Sequence, residues 1–239
     1  METEKLTEII AHGAESFGID LPPGALALFE MHYNLLEERG QNLNLTAITG
    51  AKDVARLHFL DSIALLNTVS FKNASIIDVG SGAGFPGVPL KIAESSISLT
   101  MLDATGKRVA FLSELCEILG MDAACIHARA EEASHSNHMR ERYDIAVSRA
   151  VAQLDMLCEL CLPLVRVGGF LIAMKAVDSG DEITKSQNAI SILGAALQEC
   201  HDYTIPGTDI VRRAVIIRKT SNTPGKYPRG FARIKKAPL

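Results

Sequence analysis

The sequence predicts an α/β fold, a mostly parallel sheet with helices on both faces, behind an N-terminal helical extension. Three observations predict it. Short apolar, often β-branched runs recur at residues 75–79, 99–102, 124–128, 144–148 and 170–174, each of strand length. Amphipathic segments separate several of them, and strands that alternate with helices pair in parallel under two covering layers. Before residue 71 the apolar spacing is instead three to four residues, the period of helices.

Within residues 1–70, Leu6, Ile9, Ile10, Gly13 and Phe17 keep the helical spacing and Leu21-Pro22-Pro23-Gly24 breaks it. Leu26, Phe29, Tyr33 and Leu36 resume the period, and Gln41-Asn42-Leu43-Asn44-Leu45-Thr46 reads as too rich in Asn for a helix. A further stripe follows with Val54, Leu57, Leu60 and Ala64. In the core, residues 71–220, the clearest helix covers 107–119, with Val109, Leu112, Leu115 and Leu119 on one face and Gly120 as its stop. Residues 154–164 form a second helical run, Gly168-Gly169 reads as a turn before the 170–174 strand, and 214–218 supplies a final strand with no helix after it. Residues 221–239 are a basic tail punctuated by Pro and Gly.

The composition of the 239 residues, 47% apolar and 22% charged with mean hydropathy +0.15, is that of a chain that buries a core. Its longest apolar runs fall far short of the roughly twenty residues that a bilayer-spanning helix needs. The opening Met1-Glu2-Thr3-Glu4-Lys5 is acidic where an export signal is basic, which points to the cytoplasm. Five cysteines without framework spacing read as small core residues, and Cys158-x-x-Cys161 lies inside a helical run with no second Cys/His pair, so no metal is assigned. Charge is unevenly placed. Residues 1–209 carry 15 basic against 28 acidic side chains, and the last thirty carry nine basic and none acidic. A cationic end on an anionic body fits nucleic acid or an anionic membrane. Pro224, Gly225 and Pro228 disfavour the amphipathic helix a membrane surface requires.

The most informative stretch is Ile76-Ile77-Asp78-Val79-Gly80-Ser81-Gly82-Ala83-Gly84-Phe85-Pro86-Gly87, a buried strand running into a glycine-rich turn. Such a turn brings a ligand against the backbone. Read as Gly82-x-Gly84-x-x-Gly87 it matches the dinucleotide fingerprint, but it starts late and contains Pro86, which removes an N–H from a phosphate cradle. Read as Asp78-x-Gly80-x-Gly82-x-Gly84 it sets a carboxylate before the turn, which suits a cationic, phosphate-free ligand such as S-adenosylmethionine. Asp103, nineteen residues past Gly84, is placed for ribose hydroxyls with either ligand, a role that can coexist with that of a helix cap. Ala130, Glu131 and Arg149 follow two further strand ends, where open α/β sheets gather ligands.

With these residues the chain resembles class I S-adenosylmethionine-dependent methyltransferases, and within them the bacterial 16S rRNA guanine-N7 methyltransferases of the RsmG (glucose-inhibited division protein B) family. The resemblance also rests on His58-Phe59-Leu60-Asp61-Ser62, Val147-Ser148-Arg149-Ala150, the 168–175 stretch and Lys226-Tyr227-Pro228-Arg229. Gly230-Phe231-Ala232-Arg233-Ile234 stands where the family carries a Gly/Pro-punctuated segment. The resemblance implies a Rossmann-like, mostly parallel seven-stranded sheet with the last strand antiparallel. It implies a cofactor pocket of Gly80, Phe85, Asp103, Ala104, Thr105, Ala130, Glu131 and Arg149, and as substrate the guanine at position 527 of 16S rRNA, naked or in the small ribosomal subunit, for a monomeric enzyme.

Guanine N7 already presents a lone pair, so transfer needs no general base. Arg149 is then a candidate to position the base through an acceptor such as O6, to hold the cofactor, or to pair structurally with Asp144 or Glu131. His58 and Asp61, three apart on a helix, read as packing of the helical unit at the site's edge, with the Asp able to orient the imidazole. Lys226, Tyr227, Arg229, Arg233, Lys235 and Lys236, interleaved with Phe231, suit phosphate contacts and base stacking on RNA. The alternatives are an NAD-type Rossmann oxidoreductase and a non-catalytic ribosome-assembly protein that binds RNA.

Overall fold

In the computed structural model, residues 5–43 and 45–239 are described, so Asn44 and the Met1–Glu4 opening lie outside the described residues. The N-terminal unit comprises α1 (Leu6–Ser16), α2 (Ala25–Leu43) and a continuous helical segment over 51–67. That segment is built of α3 (Ala51–Val54), a π-helical turn (Ala55–Leu60), α4 (Asp61–Ile63) and a 3₁₀ turn (Ala64–Asn67). α2 runs through Leu43, so the helix does not stop at Gln41 as its Asn content suggests. At Gly13 an added Cβ would lie 2.3 Å from Leu60, so glycine is what lets α1 rest directly on the π turn.

The core is one seven-stranded sheet in the order β3-β2-β1-β4-β5-β7-β6. β1 (Ser75–Val79), β2 (Ser98–Asp103), β3 (Ala123–His127), β4 (Tyr143–Arg149) and β5 (Val165–Ala176) pair in parallel. β7 (Val211–Lys219) runs antiparallel between β5 and β6 (Ala195–Thr204). The last strand is therefore antiparallel, as the resemblance implied. β6 escapes the apolar-run criterion because it is an edge strand, exposed over most of its length. Gly168 and Gly169 lie inside the 12-residue β5 rather than in a turn before it, at a register shift against Tyr143 and Ile145.

Neighbouring strand residues face opposite layers. Ile76 joins the core shared with the helical unit, α5 (Gly87–Ala93) and α6 (Gly106–Leu119). Ile77 joins the other core, under α8 (Leu154–Cys161), α9 (Gly180–Lys185) and α10 (Gln187–Ile192), with α7 (Ala130–Ala133) at its margin. Cys158 and Cys161 are fully buried there, and burial pushes both thiols up. The tail also contains α11 (Phe231–Lys236), a short helix where none was expected. Strand order reverses between β1 and β4, and open α/β sheets form their ligand crevice outside the carboxyl ends at such a point.

Among the described residues no helix is long and apolar enough to cross a membrane, and no three His, Cys, Asp or Glu converge in a way that would hold a metal ion.

Candidate active site

Two clefts flank Gly80 at the end of β1. The smaller, of 220 Å³, is lined mainly by apolar groups that include Leu102, Ala104, Ala130 and Met156, with Glu131 among them. The larger, of 550 Å³, lies between the helical unit and the sheet and is lined by Phe85, His58, Asp61 and four cations, Arg108, Arg149, Lys175 and Arg212. An added Cβ on Gly80 would lie 2.4 Å from Val151, so the backbone between the clefts has no room for a side chain.

The glycine loop uses its own amides. Gly80 and Ser81 N–H donate to the Leu102 carbonyl, Gly84 and Phe85 N–H to the Ser81 carbonyl, and Val88 N–H to the Gly84 carbonyl. Gly82 N–H donates to Asp103 Oδ2 at 3.0 Å and Gly87 N–H to Asp78 Oδ2 at 2.8 Å. Pro86 has no N–H, and among the described residues Ala83 is the one loop amide with no bond of this kind. A pyrophosphate cradle needs several free N–H groups pointing at the ligand, and this loop does not offer them. The donor set fits a ligand without phosphate.

Asp78 is placed differently from expectation. Its carboxylate is fully buried beneath the loop and lines neither cleft, so it ties the loop to the start of α5 rather than meeting the cationic end of a ligand. Its Oδ1 has no partner, and burial raises its pKa to about 7. Asp103 is tied to the loop as well. Its two oxygens accept the N–H groups of Gly82 and Thr105, which makes it a clamp between loop and α6. Neither Asp103 nor Thr105 lines a cleft, whereas Gly80, Ala104, Ala130 and Glu131 line the small one and Gly80, Phe85 and Arg149 the large one.

The wall of the large cleft is a network centred on Arg149, which ends β4. Its Nη1 donates to the Leu57 carbonyl in the π turn at 3.0 Å and lies 3.5 Å from Asp61 Oδ2. Its Nη2 donates to His58 Nδ1 at 2.8 Å. Because a guanidinium only donates, His58 Nδ1 is the acceptor, and Nε2–H faces Thr46 Oγ1 at 2.8 Å. Burial first, then the Arg149 charge, lowers the His58 pKa to about 3, so the imidazole is neutral. Tyr203 OH donates to Asp61 Oδ1 at 2.8 Å. Asp61 therefore meets Arg149 and Tyr203 and not His58, and Arg149 pairs with neither Asp144 nor Glu131; Asp144 is taken by Ser75 and Arg166. Phe85 stacks against His58 at 4.5 Å and His32 at 4.8 Å, with the Arg149 guanidinium 5.1 Å from its ring centre. Next to Arg149, Ala150 is held at φ +57°, an uncommon conformation for a residue with a Cβ.

The tail separates into two kinds of cation. Tyr227 is buried, and Arg229 makes a two-pronged ion pair with fully buried Glu159, Nη2 to Oε2 at 2.6 Å. Neither presents a free side chain to RNA, which revises the expectation for both. Arg213 and Lys219 are similarly paired, with Asp202 and Glu141. Lys226, Arg233, Lys235 and Lys236 are exposed. Sequence reasoning assigned no role to Arg108, Arg212 or Tyr203, and the only signal for Lys175 was its place at a strand end.

A family profile described as rRNA small subunit methyltransferase G matches residues 25–211. The chain belongs to that family. A relative with the name ribosomal RNA small subunit methyltransferase G, from Acetivibrio thermocellus, is 42% identical over 98% of this chain and 97% of its own. A solved Thermus thermophilus branched-chain polyamine synthase, in complex with N4-aminopropylspermidine and 5'-methylthioadenosine, shares the fold. It has TM-score 0.62 at 13% identity, over 92% of this chain and 72% of that one. M. jannaschii TYW2, solved in complex with AdoMet, does so with TM-score 0.53 at 12% identity, over 66% of this chain and 76% of that one. Of the eight residues that the resemblance implies for the cofactor pocket, six line the two clefts, and Asp103 and Thr105 are bonded to each other beside the loop.

Proposed function

We propose that the protein transfers the methyl group of S-adenosylmethionine to N7 of a guanine in small-subunit rRNA, the one at position 527 of the 16S molecule, in the cytoplasm. Membership of the family supports rRNA methylation with this cofactor, and the chemistry of the large cleft supports the atom. The titratable groups on its wall that can take a proton, His58 and Asp61, are already engaged. Both His58 nitrogens face partners, and Asp61 accepts from Tyr203 and Arg149. Among the described residues of this wall, a nucleophile that must lose a proton would find no uncommitted base, whereas guanine N7 needs none.

Bound S-adenosylmethionine supplies an activated methyl on a sulfonium. The small cleft, with Gly80, Ala104, Ala130 and Glu131, is of a size and polarity to take its adenosine, and Phe85 and Arg149 face its amino-acid end. Three sets of contacts fix the Arg149 fork, which leaves further N–H donors for a carboxylate or a guanine acceptor. Positioning of this kind, with water excluded, is the main source of rate when the nucleophile is ready-made. Arg108, Arg149 and Arg212 outnumber Asp61 on the wall and give the cleft a positive field, Lys175 being paired with Glu182 at 2.6 Å, and the exposed Lys226, Arg233, Lys235 and Lys236 supply further cations for the RNA backbone. The dinucleotide reading is not retained, because the loop's amides are committed internally.

Transfer of labelled methyl to 30S particles or rRNA that lack the modification, followed by borohydride and aniline cleavage, tests the proposal. Cleavage at a single guanine supports it. Label that enters RNA without cleavage would place the methyl on another atom.

A further inference from the structure

Phe231 is the one residue of the tail that reaches a cleft. The residue is 36% exposed, which is unusual for an aromatic residue with so many anchors around it. Two residues before it, Arg229 is locked to buried Glu159. Three residues after it, Ile234 is fully buried in the core beneath α8. Upstream, His135 Nε2 donates to the Pro228 carbonyl at 2.9 Å and Arg140 Nη1 to the Tyr227 carbonyl at 2.9 Å. The chain on both sides is thus fastened to the body, and the ring is held at the small cleft without being packed away. The Arg129 guanidinium, from the same cleft lining, sits 5.5 Å from the ring centre.

We infer that Phe231 is a cofactor-binding residue that forms a wall of the small cleft and stacks on the adenine ring of S-adenosylmethionine. The inference rests on the reading of that cleft as the adenosine site. An aromatic face fixed in advance gains affinity because little side-chain freedom is lost on binding, and Arg129 on the ring helps hold its orientation. This role differs from the one the sequence suggested, in which Phe231 stacks on RNA bases.

Calorimetric titration of the full-length protein with S-adenosylhomocysteine, and separately with adenosine, tests it. Phe231→Ala is expected to weaken both ligands by the same factor, about tenfold, with Phe231→Tyr close to wild type and rRNA affinity unchanged. Phe231→Leu keeps apolar bulk without a π face and serves if the Ala variant folds poorly; a loss of both ligands there supports stacking. Unchanged affinity for both ligands in the Ala and Leu variants overturns the inference, and a loss of rRNA affinity alone would assign the ring to RNA. If the wild-type protein binds neither S-adenosylhomocysteine nor adenosine, the cofactor reading itself fails and the inference falls with it.

Discussion

The two clefts beside Gly80 are built by different physics. The small one is made by residues that follow successive strand ends, closed by apolar side chains, and holds few charges. The large one is made by segments far apart in sequence, since Arg149 bonds to Leu57 and His58 across about ninety residues, and it is lined with cations, of which Arg149 has its direction fixed by hydrogen bonds. Shape and burial select the ligand in the first; oriented charge selects it in the second. A methyl donor with an apolar nucleoside end and a charged amino-acid end suits the pair, with Gly80 at the join.

The largest expected effect comes from closing that join. Gly80→Ala forces a Cβ to within 2.4 Å of Val151 at a backbone φ of +77°, and S-adenosylhomocysteine affinity is expected to fall by on the order of a hundredfold, measured by calorimetry. A fall below about threefold would mean that the clefts do not share one ligand.

Buried groups on the two sides of the loop give opposite pH dependences. His32 and His58 have pKa values lowered by burial to about 4 and about 3. Each is neutral when folded, so the stability they permit is present above the unfolded value near 6.5 and is lost as pH falls through those folded values. Asp78, raised by burial to about 7, has the reverse sign: its contribution is present below about 4 and is lost as pH rises toward 7. Urea unfolding from pH 4 to 8 is expected to show Asp78→Asn flattening only the second trend, because the amide still accepts from Gly87 N–H. An unchanged decline in that variant would mean that Asp78 is charged throughout.

Tail cations offer a smaller effect that sharpens the contrast between engaged and free charge. Lys235→Ala with Lys236→Ala is expected to weaken rRNA binding several-fold at moderate salt, lower the salt slope by about 0.7 per lysine and leave S-adenosylhomocysteine affinity unchanged. Filter binding across a salt series checks it.

Much of the small cleft was legible in the sequence, because its parts follow local rules. A strand into glycines and a turn after a further strand end mark Gly80, Ala130 and Glu131 without knowledge of the fold, and the resemblance adds Ala104. The role of Asp78 was not legible, since a carboxylate before a turn looks the same whether it faces a ligand or its own backbone amides, whereas the bond of Asp103 to the start of α6 follows from its place before a helix. The large cleft was legible only as separate residues. That His58 is an acceptor from Arg149, and that Asp61 belongs to Tyr203, depends on the 51–67 segment packing onto the end of β4 and the edge of the sheet. In the tail, Arg229 and Lys236 are alike in sequence, and only the position of Glu159 in the core separates them.

The division of one ligand between two clefts is tested most directly by Arg149→Gln titrated with S-adenosylhomocysteine and with adenosine. Loss of charge-assisted hydrogen bonds in the large cleft is expected to weaken S-adenosylhomocysteine about tenfold, with adenosine within about twofold of wild type. An equal loss for both ligands, or for neither, would contradict the placement of the amino-acid end beside Arg149.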